Sequence, residues 1–215
     1  MLVMGGLPIG LSRFRHDERG IAAVEFALVL PLLIVLYFGT AELTRVVDAT
    51  RKLTLFARTL SDLSGRVDNA LATQNGMALA TQDGMTKITS AATAILRPLD
   101  ASGLQIVVNA MGVETVNGSL KGFVCSSWPQ NATKRPANQA NGSNGLPATP
   151  AAYQFDGARY ILAEVTMPYT PIIGSALYRW IFGGRGLTFS RQIPWSERTP
   201  SEIVMPGGTA CPVYN

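Results

Sequence analysis

The chain has 215 residues, a formal net charge of +4 and only 15% charged side chains, a length that suits one modest folded domain plus an anchor. Its Lys and Arg residues are scattered and not interleaved with aromatics, which argues against a nucleic-acid-binding face. The only histidine is His16 and the only cysteines are Cys125 and Cys211. A Ser-His-Asp or Cys-His centre in the body of the chain and a structural zinc site both lack donors.

Residues 1–20 read as a leader. Met1–Leu11 is apolar and Gly-rich, Ser12–Gly20 is charged, and either Met1 or Met4 could start the chain. Ile21–Ala41 follows, apolar throughout except for Glu25. As a helix these 21 residues span about 31 Å, close to the hydrocarbon thickness of a bilayer. Arg13, Arg15 and Arg19 before it favour a cytoplasmic N-terminus, with the remainder translocated, while Arg45, Arg51, Lys52 and Arg58 beyond it weigh the other way. Glu25 raises a question of cost, because an acid at mid-membrane depth is unfavourable by roughly 2.5–3.5 kcal/mol. It is either an acid of the first helical turn, favoured by the dipole by about 0.3–1 kcal/mol, or a residue with a partner.

The helical pattern continues past the apolar segment. Leu43, Val46, Thr50, Leu53, Ala57 and Leu60 recur every three or four residues, and Gly65 is a stop, so the spacing predicts one helix over 21–64. Residues 66–83 are polar, with Asn75-Gly76 and Asp83-Gly84 as turn signals. Asp83 is a candidate cap for a second helix with a stripe of Met85, Ile88, Ala92, Ile95 and Leu96, ended by Pro98.

Four strands are expected next: Leu104–Val113, a short one over Phe123–Trp128, Arg159–Pro168, and Leu187–Ile193. Gln130–Ala152, rich in Asn, Ala, Pro and Gly, reads as a long, flexible, exposed loop. Ile172–Phe182 is either a short helix or an apolar loop, and Gly183–Gly186 reads as a turn and not as an anion cradle. Asn117-Gly-Ser, Asn131-Ala-Thr and Asn141-Gly-Ser fit the N-glycosylation pattern but carry no weight in Asn-rich loops. Cys125 and Cys211 both follow the apolar segment. In a translocated domain such a pair points to a disulfide that pins the C-terminal tail, the alternative being two buried thiols.

Gly20-Ile-Ala-Ala-Val-Glu25-Phe26 places a glycine, four residues, a glutamate and an aromatic behind a basic stretch and ahead of an apolar helix. This resembles the cleavage motif of type IV prepilins. The longer run from Arg15 to Arg45 resembles TadE-like proteins of tight-adherence (Tad) pilus systems more closely, through Arg19, Gly20, Ala22, Glu25, Phe26, Ala27, Leu28, Pro31 and Leu33. Ile95–Asp100 and Val165–Gly174 look like weaker features of that family.

The resemblance implies a membrane-anchored minor pilin or pseudopilin-like component, single-pass in a bacterial inner membrane, that assembles or primes an adhesive pilus. It implies a prepilin peptidase cutting between Gly20 and Ile21, a subunit-assembly role for Glu25 and Phe26, and a helix kink at Pro31. Other Tad pilus subunits, the inner-membrane platform and the lipid bilayer would be its partners, with no nucleic acid, no cofactor, no metal and no catalytic residue. The expected fold is α+β: a long N-terminal transmembrane helix, then an exported domain over 65–215 with a small antiparallel sheet. The competing reading is an extracytoplasmic binding module, released from Glu42 by a signal peptidase acting after Gly39-Thr-Ala41.

Overall fold

The structure is a computed structural model that describes residues 18–66, 73–74, 77–171, 183, 187–198 and 202–212. The leader up to residue 17, the Asn75-Gly76 turn, the Ile172–Phe182 segment and most of the Gly183–Gly186 turn lie outside those residues. The fold is α+β, as expected from the sequence. Helix α1 runs over Glu18–Ser64 and α2 over Gln82–Thr93. The strands are β1 (Thr73–Gln74), β2 (Met77–Leu79), β3 (Gln105–Val116), β4 (Ser119–Gln130), β5 (Arg159–Tyr169), β6 (Leu187–Ser196) and β7 (Ile203–Val204).

The chain divides into two compact units, Met1–Arg45 and Val46–Asn215, and α1 contributes to both. In the first unit the described residues form the apolar part of the helix, with its side chains exposed from residue 20 to residue 40. In the second unit β4, β3, β5 and β6 form, in that order, an antiparallel sheet. A smaller sheet joins β1 antiparallel to β2, and β2 parallel to β7.

The main sheet has two covered faces, and strand alternation sorts its residues between them. On one face Ile106, Val108, Ala110, Ile161, Ala163, Val165, Met167 and Trp128 pack with Ala49, Leu53, Phe56, Ala57 and Leu60 of α1, and with Met85, Ala92 and Leu96. On the other face Met111, Val113, Val124, Tyr160 and Leu162 pack with Leu146 and Ala158 from the long β4–β5 connection.

The buried stripe of α1 differs from the expected one. Leu43 is exposed, while Ala49, Phe56, Ser61 and Ser64 are buried. Among the described residues the core-packing positions of α1 begin at Val46, three residues after Leu43. At its other end α1 stops at Gly65 as expected. The Gly65 carbonyl accepts from Arg198 N–H at 2.9 Å, and a Cβ there would stand 3.0 Å from Ser196 O, so the glycine permits close approach of the end of β6. Asp62 adds to this junction by accepting from Trp195 Nε1 at 3.0 Å and pairing with Arg66 and Arg198.

The cap of α2 is Thr81 and not Asp83: Thr81 Oγ1 accepts from Gly84 N–H at 3.0 Å. Asp83 lies in the first turn and pairs with Lys87 one turn on. The helix gives way to a 3-10 turn over Ala94–Leu96 ahead of Pro98.

The first two main strands are longer than the sequence reading made them. Val116 pairs with Ser119, which leaves Asn117 and Gly118 as a two-residue turn with φ of 52° and 75°. Positive φ at both central residues is the hairpin geometry that Asn-Gly favours. The ladder therefore continues to the turn, and not only to Val113 and from Phe123.

The β4–β5 connection is irregular as expected and much of it is exposed, yet it is fastened to the sheet at several points. Phe123 bridges to Ala140, Val124 N–H donates to Gln139 O, and Asn141 N–H donates to Gly122 O. A Cβ on Gly122 would lie 2.3 Å from Thr149 Oγ1, so only glycine lets the connection come this close.

The packing separates two neighbouring helix positions. Phe56→Ala, at a fully buried site, should lower unfolding free energy by about 3–5 kcal/mol. Leu55→Ala, at a half-exposed site, should change it by less than about 0.5 kcal/mol. Denaturant unfolding of the detergent-solubilised chain, followed by tryptophan fluorescence, measures both.

Candidate functional site

Gly20, Ile21, Glu25, Phe26 and Pro31 all lie within α1. Ile21 and Phe26 are exposed, and among the described residues a Cβ on Gly20 would meet nothing within 4 Å. The peptide at Gly20–Ile21 is helical and, among those residues, sterically open. Glu25 stands seven residues into the described part of the helix, which begins at Glu18. Pro31 is inside the same uninterrupted helix, where a proline ring cannot donate to the carbonyl of Ala27.

Magnitudes decide whether one acid keeps this segment out of a membrane. Thirteen large apolar side chains between Ile21 and Phe38 are exposed. Removing them from water is worth about 20–40 kcal/mol in total at roughly 1.5–3 kcal/mol each. That exceeds the cost of Glu25 by about tenfold. Hydroxyls at the end of the segment are satisfied within the helix: Thr40 Oγ1 donates to Tyr37 O and Thr44 Oγ1 to Thr40 O, both at 2.9 Å.

The folded unit contributes a second set of polar features. Cys125 and Cys211 form a disulfide with Cα atoms 4.5 Å apart, closing a sequence separation of 86. The ladder explains how Cys125 is presented. Ala110 pairs with Ser126 and Met111 with Val124, so Cys125 is the extra residue of a bulge in β4. Gly112 makes room for the bond, since a Cβ there would lie 2.9 Å from Cys125 Sγ and 3.0 Å from Cys211 Sγ. Glu202 approaches both sulfurs, but they are bonded to each other and its carboxylate accepts the Cys211 N–H.

Glu164 organises the opposite face. It accepts from Arg135 Nε at 2.9 Å and Nη2 at 2.7 Å, from Asn109 Nδ2 at 2.8 Å and from Gln192 Nε2 at 3.1 Å. The Glu164 hydrogen bonds raise the pKa of Arg135 above its ordinary value, against the opposing effect of burial. Arg135 also donates to Asn144 O, so the guanidinium and its carboxylate partner tie the connection to β3, β5 and β6. Burial raises the Tyr160 phenol above its usual range while its Asn141 hydrogen bond pulls the other way, and Tyr153 stacks on its ring at 4.5 Å.

The structure thus brings together Cys125 and Cys211 and strings the α1 positions along one exposed helix. Sequence reading missed the Glu164 hub and the Arg159–Glu114 pair. Their signal is faint: single charges in strands otherwise made of buried apolar residues.

A helix apolar enough to cross a membrane, joined to a disulfide-closed α+β unit, fits a single-pass membrane protein. Residues 20–60 match the family of TadE-like proteins, which bears out the resemblance carried by Gly20, Glu25 and Pro31. That family points to a component associated with Tad pili and structural in kind. The match covers the apolar segment and most of the core-packing half of α1, and leaves Ile95–Asp100 and Val165–Gly174 outside it. No curated protein and no solved structure matches the chain significantly.

The disulfide yields a direct expectation. Alkylation of non-reduced, denatured protein should leave Cys125 and Cys211 unlabelled, and labelling of both would contradict the bond. Cys211→Ser should reduce stability by about 4–5 kcal/mol if loop entropy dominates. Gly112→Val should lower the yield of the bonded form, read by the same labelling.

Proposed function

We propose that the protein is a minor pilin or pseudopilin-like component that assembles or primes a Tad-type adhesive pilus. In this reading residues 1–20 are a leader, 21–41 cross the bacterial inner membrane, and the unit carrying the β-sheet is exported, with the N-terminus cytoplasmic. The observation that carries it is the match over residues 20–60, which contains the Gly20–Glu25 spacing on an exposed apolar helix. A disulfide in the folded unit supports export, because such bonds persist in oxidising compartments.

Cleavage by a prepilin peptidase between Gly20 and Ile21 gives Glu25 a purpose. It removes the first residues of the helix and leaves an ammonium group at Ile21, one helical turn before the acid. In an assembled pilus the amine of a neighbouring subunit compensates Glu25, and Phe26 packs in the same contact. An acid costly in lipid alone becomes favourable beside an ammonium, and breaking a buried pair costs about 3–5 kcal/mol because one charge is stranded. The kink at Pro31 would let the apolar helix bend toward its neighbours. Partners are other Tad pilus subunits and the inner-membrane platform. The role is structural, with no catalytic residue, metal or cofactor.

Glu25→Gln tests the assignment, since it keeps the shape and removes the charge. At matched membrane levels this variant should insert and keep its sheet folded, yet lose pilus formation or partner co-purification. Leu28→Ala is the uncharged control and should assemble far better. Wild-type piliation and partner retention by Glu25→Gln would show that the carboxylate has no assembly role.

A further inference from the structure

The last described residues of the chain are held to the folded unit by contacts of three kinds. Strand β7 pairs with β2, and Ala80 N–H donates to Val204 O at 2.9 Å. Met205 N–H donates to Ser126 Oγ at 2.9 Å, Lys134 Nζ to Gly207 O at 3.2 Å, and Cys211 is bonded to Cys125. Two carboxyl groups complete the attachment. Glu197, just past β6, accepts the Ile203 N–H, and Glu202 accepts the Cys211 N–H. Glu202 directly precedes Ile203, so the two acids are brought together at the root of the tail. Glu197 Oε1 is buried with no hydrogen-bond partner among the described residues.

We propose that Glu197 and Glu202 form a proton-operated latch, closed on the C-terminal tail when the pair carries one negative charge and loosened when it carries two. Oε1 of Glu197 is buried and Glu202 acts on the same carboxyl, so a second ionisation is opposed by poor solvation and by like-charge repulsion.

The charged groups around the pair do not relieve this. Arg159 acts on Glu197 only weakly in comparison, and its guanidinium is bonded to Glu114. Arg198 pairs with Asp62. Thr199, Pro200 and Ser201, which connect the two acids, have no ionisable side chain. Burial first, then the Glu202 charge, push the Glu197 carboxyl up from its ordinary 4.5 to about 8.

The direction of the effect follows from linkage. The closed tail retains a proton that the open form, with an ordinary carboxyl, gives up above 4.5. Closure is therefore fully supported in acid, weakens as pH rises from 4.5 toward 8, and gains nothing from the proton above that. The disulfide remains intact throughout, so the tail loosens around a covalent tether and is not lost.

Hydrogen exchange of the full chain in detergent micelles tests this, with peptides covering residues 202–212 and rates corrected for intrinsic pH dependence. Between about pH 6 and pH 8 wild-type protection of Ile203, Val204 and Met205 should fall by roughly tenfold to a hundredfold, following the limit of about tenfold per pH unit for one proton. Protection of β3 and β5 should hold. Glu197→Gln should make tail protection the same at both pH values. Wild-type protection that does not change with pH would overturn the proposal, as would a fall of equal size in Glu197→Gln. If Glu197→Gln loses protection in β3 and β5, Glu202→Gln decides: with burial of Glu197 remaining and the neighbouring charge removed, a tail fall clearly smaller than wild type supports the latch, and a fall of full wild-type size refutes it.

Discussion

One helix carries two different surfaces. Residues 21–38 of α1 expose large apolar side chains, while Ala49, Leu53, Phe56, Ala57 and Leu60 of the same helix are buried at 0% exposure. The second half supplies much of the core for one face of the sheet, so the domain cannot dispense with it. Burying that face rests on apolar area, which is non-directional. What gives it a unique register is the helix spacing of three and four residues meeting strands that alternate by two. The apolar first half is left bare along its length, and a bilayer is the medium that matches it.

The rest of the folded unit is fastened by directed contacts. The second face of the sheet is covered by a connection with little regular structure, whose backbone and side chains are tied down by particular residues. Arg135 reaches Glu164, the Asn109 amide joins the same carboxylate, and glycine at 122 clears space for Asn141 and Thr149. The tail is held likewise by the disulfide and by Ser126. A part-buried, multiply hydrogen-bonded carboxylate such as Glu164 contributes to specificity more securely than to net stability. Its value here lies in fixing where an irregular segment sits.

Much of this was legible from residue order alone. The helix end at Gly65, the four main strands and the cysteine pair are local signals: a glycine stop, β-branched runs and two thiols with no competitor. Other features depend on what a residue meets across the fold. Leu43 looked like core because its spacing suited the stripe, but burial is decided by where the sheet begins. Asp83 looked like a cap, yet Thr81 has the extended backbone that lets its hydroxyl reach Gly84 N–H. Asn117-Gly118 is a local hairpin signal whose reach depends on the pairing of Val116 with Ser119 across it. The bulge at Cys125 and the hub at Glu164 come from register and from contacts between residues 28 or more apart, which periodicity does not encode.

The central claim is that the apolar half of α1 remains joined to the domain as its membrane anchor, trimmed only at its leader. Intact mass of the membrane-extracted protein, with sequencing of its amino terminus, tests this most directly. A mature chain beginning at Ile21 is the predicted result. A chain beginning at Glu42, lacking residues 21–41, would contradict it.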